Sequence, residues 1–277
     1  MRCAWNELIN ILPQRMRQEI DRIGKDTLQE LRLRLDKPPM LVTAKGSKTL
    51  DMTVTPADIA FVVNTASRYS PWAAATAAHG YITAAGGHRI GICGEAVVKD
   101  GSCAGIRTSE SICIRVARDF PGIADKAAAV TGNILILGPP GSGKTTFLRD
   151  LIRRKSDFGS GAVAVIDERG ELFPRGIPTG ANTDILSGCS KVQGIQMVLR
   201  TMGPKIIAVD EITAKEDCEA LYEAAWCGVN VIATAHAFDL KDLCCRNVYK
   251  PLKECGLFEN TVTMHADKSW HLERMCL

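Results

Sequence analysis

No two cysteines in this chain are spaced C-x-x-C, although there are eleven of them. Cys93, Cys103 and Cys113 stand ten residues apart, and Cys244 and Cys245 are adjacent. Such spacings suit neither a zinc site nor a disulfide framework, and reduced thiols are expected. The residues after Met1, Arg-Cys-Ala-Trp-Asn-Glu, lack the apolar core of a signal peptide. No apolar run approaches the ~20 residues of a membrane-spanning helix. A net charge of +3 gives no support to an extended nucleic-acid footprint. There are no repeats and no low-complexity tract. What is present is the composition of a soluble globular chain, 46% hydrophobic and 23% charged. Its 277 residues are enough for one large or two ordinary domains.

The most informative stretch is Gly138-Pro139-Pro140-Gly141-Ser142-Gly143-Lys144-Thr145, which fits G-x-x-x-x-G-K-[ST] at every fixed position. A loop of this kind wraps a phosphate chain in backbone N–H groups, and its glycines let the backbone approach without Cβ clashes. Lys144 is placed to reach the β- and γ-phosphates, and the Thr145 hydroxyl to sit on Mg²⁺. Thr146 extends the cradle into a helix whose N-terminal dipole faces the anion. The context fits. Asn133–Leu137 is an apolar run of strand length, and Phe147, Leu148, Leu151 and Ile152 share one helical stripe. ATP with Mg²⁺ is the expected ligand pair.

The half before the loop reads as α+β. Pro13 opens a helix with Met16, Ile20 and Ile23 on one face. Leu31, Leu33 and Leu35 alternate with Arg32 and Arg34 as a half-buried strand does. Asp36–Pro39 is a turn and Met40–Val42 a second strand. Thr55-Pro-Ala-Asp58 opens a helix with Ile59, Val62, Val63 and Ala66 inward. Tyr81–Thr83 and Arg89–Val98 form a hairpin about Gly86-Gly87, and Ser111–Val116 is a further strand. Phe120-Pro-Gly122 breaks the pattern, so a smaller α+β domain is expected over 1–120 and a second domain over 121–277.

The second domain reads as α/β with a parallel sheet. Ile134–Leu137, Ala162–Ile166, Ile206–Val209 and Val229–Ala233 are nearly continuous apolar runs, as strands covered on both faces are. Ligands in such sheets bind beyond the carboxyl ends of the strands. The glycine loop, Asp167-Glu168, Asp210-Glu211 and Thr234-Ala-His236 all stand there. Asp210 suits the metal shell, and Glu211 suits the general base that polarises an attacking water. Glu168 assists metal or water, or belongs to a solvated turn. Thr234 and His236 could hydrogen-bond a γ-phosphate. Arg200 reports on nucleotide, pairs with an acid, or is a surface arginine. Leu186-Ser-Gly-Cys-Ser190 is reminiscent of the signature loop of ABC ATPases, but the second glycine and the glutamine are missing. The forty or so residues between Thr145 and Ser187 also leave no room for their helical subdomain.

These residues together resemble the ATPases of type II and type IV secretion and pilus systems. The strand, proline turn and strand of Leu31–Val42, the acidic box Asp167–Glu171, the approach Arg200-Thr-Met-Gly-Pro204 and the histidine box Thr234–His236 carry the likeness. Gly86-Gly-His-Arg-Ile-Gly-Ile-Cys-Gly94, Ile166–Glu171, Thr183–Leu186 and Val209–Ile212 narrow it to the stage III sporulation AA family. The resemblance implies a RecA-like P-loop ATPase core. It implies an ATPase on the mother-cell side that energises a channel complex joining mother cell and forespore, either as a motor or as a nucleotide-dependent scaffold. It further implies a cytoplasmic protein recruited peripherally by membrane-embedded partners, without direct membrane insertion, and a hexameric ring. In such a ring Arg89, Arg107 or Arg115 would act in trans. Departures are Asp210 where those ATPases have glycine, no tetracysteine site, and little chain after the core for a further helical lobe.

Overall fold

Alternation builds the first sheet and continuous apolar runs build the second. The computed structural model describes residues 1–67, 80–99, 102–159, 161–174 and 176–275. The chain divides into two units. One is Met1–Asp119 with Pro174–Ile177, the other Phe120–Phe173 with Pro178–Leu277.

In the first unit, helices Trp5–Asn10 and Gln14–Ile23 precede β1 (Leu28–Arg34), β2 (Met40–Thr43) and β3 (Gly46–Thr49). Helix Pro56–Ser67, β4 (Tyr81–Thr83), β5 (Arg89–Lys99) and β6 (Ser102–Arg115) follow. The strands form an antiparallel sheet in the order β3-β2-β1-β6-β5-β4. Leu31, Leu33, Leu41, Ile90, Ile112 and Ile114 bury one face of it against Met16, Ile20, Ile59 and Val62. Each fully buried side chain of this size is worth about 1.5–3 kcal/mol. Thr55 and Asp58 close a reciprocal cap on helix Pro56–Ser67. The Asp58 N–H donates to Thr55 Oγ1 at 3.4 Å, and Asp58 Oδ2 accepts from the Thr55 N–H at 2.7 Å. Arg15 Nε adds a bond to Asp58 Oδ1 at 3.0 Å.

The strand expected at Ser111–Val116 begins at Ser102 and ends at Arg115. Its first half pairs with β5 across three register irregularities. This arm is largely exposed, so ladder hydrogen bonds hold it and no apolar alternation marks it. β3 was hidden for the same reason, with all four residues exposed.

The second unit carries a seven-stranded sheet in the order β13-β12-β7-β11-β10-β8-β9. The strands are β7 (Ile134–Leu137), β8 (Val163–Asp167), β9 (Thr183–Ser187), β10 (Ile206–Val209), β11 (Asn230–Ala235), β12 (Asn260–Met264) and β13 (Trp270–Arg274). Pairing is parallel except for β12 with β13. β7, β8 and β10 are buried at every residue, as continuous apolar runs require. Helix Lys144–Asp157 covers one face with Phe147, Leu148, Leu151 and Ile152. Helices Lys191–Thr201 and Lys215–Trp226 pack on the other through Ile195, Val198 and Leu221.

β9, β12 and β13 are additions to the four strands expected from hydrophobic runs. Leu186 and Ser187, which resemble part of an ABC signature loop, lie in edge strand β9. Among the described residues no helix is long and apolar enough to cross a membrane.

Candidate active site

The loop from Gly138 to Gly143 joins the end of β7 to helix Lys144–Asp157. Its shape depends on missing side chains. Gly138 has φ 156°, and a Cβ there would stand 2.6 Å from Ser142 Oγ and 2.8 Å from Met264 O. Gly143, at φ 99°, hands the chain into the helix. The first N–H groups of that helix have no intrahelical acceptors. The Ser142 hydroxyl is buried inside the loop without a hydrogen-bond partner. A cradle of this kind suits an anion.

Lys144 is only 6% exposed. Its ammonium donates to Gly138 O at 2.8 Å and Pro139 O at 3.1 Å, and lies 2.9 Å from His236 Nδ1. Burial lowers its pKa, and the charges of Asp210 and Glu211 oppose that shift. Thr145 Oγ1 donates to Asp210 Oδ2 at 2.9 Å. A hydroxyl and a carboxylate so joined are hard oxygen donors that fit a Mg²⁺ ion, which takes few protein ligands and completes its shell with phosphate and water.

Thr234 in β11 orders the next strand end. Its hydroxyl donates to Asp210 Oδ1 at 2.7 Å and accepts from the Glu211 N–H at 2.8 Å. Its carbonyl accepts from the Ile212 N–H at 2.8 Å. The one proton of the hydroxyl is thus committed to Asp210, so Thr234 organises the carboxylates. Glu211 itself sits at φ 49°, a conformation that costs a non-glycine residue of order 1 kcal/mol. Its carboxylate lies 3.2 Å from His236 Nε2 and 3.2 Å from Arg169 Nη1.

The acidic box divides. Asp167 is 3% exposed and accepts the N–H groups of Glu171, Leu172 and Phe173 at 2.9, 2.9 and 3.3 Å. Burial raises its pKa, while these three donors lower it. It pins the turn after β8. Glu168 turns to Lys191, with Nζ to Oε2 2.6 Å. Lys191 also faces Asp217 at 3.6 Å, and Asp217 accepts the Thr213 and Ala214 N–H groups at the start of helix Lys215–Trp226. Glu168 therefore ties β8 to two helices.

The structure thus brings together Lys144, Thr145, Asp210, Glu211 and His236, with Gly138, Pro139, Pro140, Gly141, Ser142, Gly143 and Thr146 supplying the loop and first turn. It does not bring Arg200 to them. Arg200 is exposed in the last turn of helix Lys191–Thr201, before the beginning of β10, whereas Asp210 follows the end of that strand.

Two residues escaped the sequence reading. Tyr249 Oη accepts from the His236 N–H at 3.2 Å and donates to Ile212 O at 3.4 Å, clipping two strand ends together. Lys268, in the turn between β12 and β13, places its ammonium on Gly141 O. Both come from sequence-distant segments with no motif of their own.

Comparison with known proteins places this arrangement in context. The family model "Sporulation stage III, protein AA" matches residues 4–271. Stage III sporulation protein AA of Bacillus subtilis (strain 168) is 34% identical over 281 residues, covering 95% of this chain and 92% of that protein. Two solved structures share the architecture. The ATPase DotB of Legionella pneumophila superposes with a TM-score of 0.59 at 17% identity, over 95% of this chain and 80% of its own. The pilus retraction motor PilT, solved with bound ADP, gives a TM-score of 0.65 at 16% identity, over 94% and 82%. At such identities the likeness establishes the fold, and the core is RecA-like α/β.

Proposed function

Because the chain belongs to the sporulation stage III protein AA family, and its glycine loop ends beside two carboxylates, we propose that it is an ATP-hydrolysing motor. The observation that carries the reading is the convergence of Lys144, Thr145, Asp210, Glu211 and His236 on one end of the parallel sheet. ATP is the substrate, with its phosphates in the loop Gly138–Thr145 and at Thr146. Lys144 exchanges its carbonyl acceptors for phosphate oxygens. Thr145 and Asp210 would hold Mg²⁺, which when bound neutralises phosphate charge. Glu211 orients and deprotonates the attacking water. His236 lies 3.2 Å from Glu211 and stands where it could also reach the terminal phosphate. Glu168, held by Lys191, positions the acidic turn, and Arg200 acts outside the hydrolytic step.

In this reading residues 121–277 are the ATPase domain and residues 1–120 an accessory domain. The protein works as a hexameric ring on the mother-cell side, in the cytoplasm. Membrane-embedded proteins of the channel complex between mother cell and forespore recruit it peripherally. Arg89, Arg107 or Arg115 completes the charge on a neighbour's γ-phosphate. Arg107 lies 3.1 Å from Glu95 and Arg115 3.5 Å from Glu30, and Arg89 stacks 4.7 Å over the Tyr81 ring. Assembly would have to exchange such contacts for phosphate.

A second reading, a scaffold that orders the complex through nucleotide binding without turnover-driven work, is favoured by one feature. Both Glu211 oxygens are engaged, by His236 and Arg169, which occupies part of the base's acceptor capacity. Steady-state phosphate release with ATP and Mg²⁺ separates the two. Turnover abolished by Glu211→Gln supports the motor. Tight ATP binding without turnover, with and without membrane partners, overturns it.

A further inference from the structure

The glycine loop contains one side-chain cation, Lys144. A second reaches it through the fold. β12 pairs in parallel with β7, the strand that feeds the loop, with Thr263 opposite Leu137. The chain leaving β12 therefore emerges beside Gly138, and Met264 O lies 2.8 Å from where a Gly138 Cβ would stand. The turn that follows is tied by two backbone bonds. His265 N–H donates to Ser269 O at 2.9 Å, and Lys268 N–H to His265 O at 3.1 Å. Asp267 Oδ1 accepts from the Ser269 N–H at 2.9 Å and from its hydroxyl at 2.6 Å. This turn presents Lys268 to the loop.

We propose that Lys268 is a second phosphate-binding cation, acting on the part of the phosphate chain that ATP and ADP share. The proposal rests on the nucleotide reading given above. Its ammonium already donates to the carbonyl of Gly141, an acceptor that a phosphate oxygen outcompetes because it is charged. Its stem lies along the loop, with Cδ 3.9 Å from where a Gly143 Cβ would stand.

Lys268 also lines a cleft of about 890 Å³ that Gly122, Asp125, Lys126 and Trp270 help to form. Asp125 in that lining is neutralised by Arg154 at 2.6 Å, so the cleft is cationic on balance. Finally, Lys268 holds φ at 72°. Glycine would adopt this backbone without strain. Lys144 is held by the carbonyls of Gly138 and Pro139 and Lys268 by that of Gly141, so the two ammoniums meet the loop at different points.

The test is equilibrium binding of ATP and ADP to the full-length wild type, Lys144→Ala, Lys268→Ala, Lys268→Gly and Lys268→Arg. Lys268→Gly relieves the backbone and keeps the thermal midpoint at or above wild type, so a folding defect cannot imitate lost affinity. Loss of one charge-assisted hydrogen bond predicts about tenfold or greater weakening for both nucleotides in the Ala and Gly variants. Lys268→Arg keeps most of the affinity. Inorganic tripolyphosphate, used as a competitor, weakens by the same factor. Unchanged ADP affinity in Lys268→Ala and Lys268→Gly overturns the proposal, as does a loss confined to ATP. A wild type that binds neither nucleotide overturns the nucleotide reading itself, and the role of Lys268 falls with it.

Discussion

Lys144 and His236 are joined at 2.9 Å through Nζ and Nδ1. An ammonium has no lone pair, so Nδ1 must accept. The neutral ring then carries its proton on Nε2, which lies 3.2 Å from Glu211 Oε1. The proposed phosphate-binding lysine and the proposed base are thus the two ends of one chain of contacts through His236. Drawing Lys144 toward a nucleotide would release Nδ1 of the imidazole whose other nitrogen faces Glu211.

Substituting Glu211 by glutamine keeps the shape of that chain and removes the base. Glu211→Gln is expected to retain ATP binding and to lose turnover by about 10²–10⁴-fold. Glu168→Gln is expected to keep most turnover, because its partner is Lys191 rather than water. Normal hydrolysis by Glu211→Gln together with an inactive Glu168→Gln would transfer the base to the acidic box.

Lys144→Ala removes the ammonium that two loop carbonyls now hold. Tight ATP binding should disappear, as titration with labelled ATP would report. Undiminished affinity would take Gly138–Thr145 out of the mechanism.

The first unit should lose stability in acid through Asp58. Burial raises the Asp58 pKa, but Arg15 and the N–H and hydroxyl of Thr55 outweigh it, and the net shift is downward. A folded pKa below the unfolded value means stabilisation that is full above about pH 4. It disappears as pH falls through the lower, folded value. Asp58→Ala should cost about 1–3 kcal/mol at pH 7 and show a flatter acid limb in urea unfolding. Equal losses at pH 7 and pH 2.5 would contradict this.

Cys218 offers a probe of the second unit. Burial, assisted by the Asp217 charge, pushes its thiol pKa up to about 12. At pH 8 alkylation should modify the exposed Cys93, Cys103, Cys227, Cys245 and Cys255 and spare Cys218 until the unit unfolds. Mass spectrometry of partly labelled protein decides it. Early labelling of Cys218 would mean that helix Lys215–Trp226 opens locally.

What was legible in the sequence follows burial. β7, β8 and β10 announce themselves because both faces are covered, so Ile134–Leu137 or Ile206–Val209 has no polar residue to confuse the pattern. The glycine loop is legible because its chemistry requires residue types at set spacings. β9 was not legible, since Asp184, Ile185 and Ser187 are exposed at a sheet edge. Tyr249 and Lys268 were not legible for another reason. Each reaches the site only after a distant segment has packed, and nothing local to either residue marks that. Thr234 was expected to meet phosphate, yet its hydroxyl is spent on Asp210 and the Glu211 N–H. Which partner a strand-end hydroxyl takes depends on neighbouring strands that are far apart in sequence.

The bottom of the parallel sheet has its own say in the chemistry at the top. Asn133, just before β7, accepts the Val231 N–H at 2.8 Å and donates to Leu257 O at 2.7 Å, and its own N–H donates to Glu259 at 2.6 Å. One amide therefore gauges three chain segments against each other at the end where β7, β11 and β12 begin. Strands are rigid rods of about 3.3 Å per residue, so an offset at their lower ends reappears undiminished at their upper ends. A one-residue slip would also turn each side chain to the opposite face, carrying Thr234 away from Asp210. Asn133 serves as the common zero mark from which the glycine loop, Thr234 and Lys268 are measured.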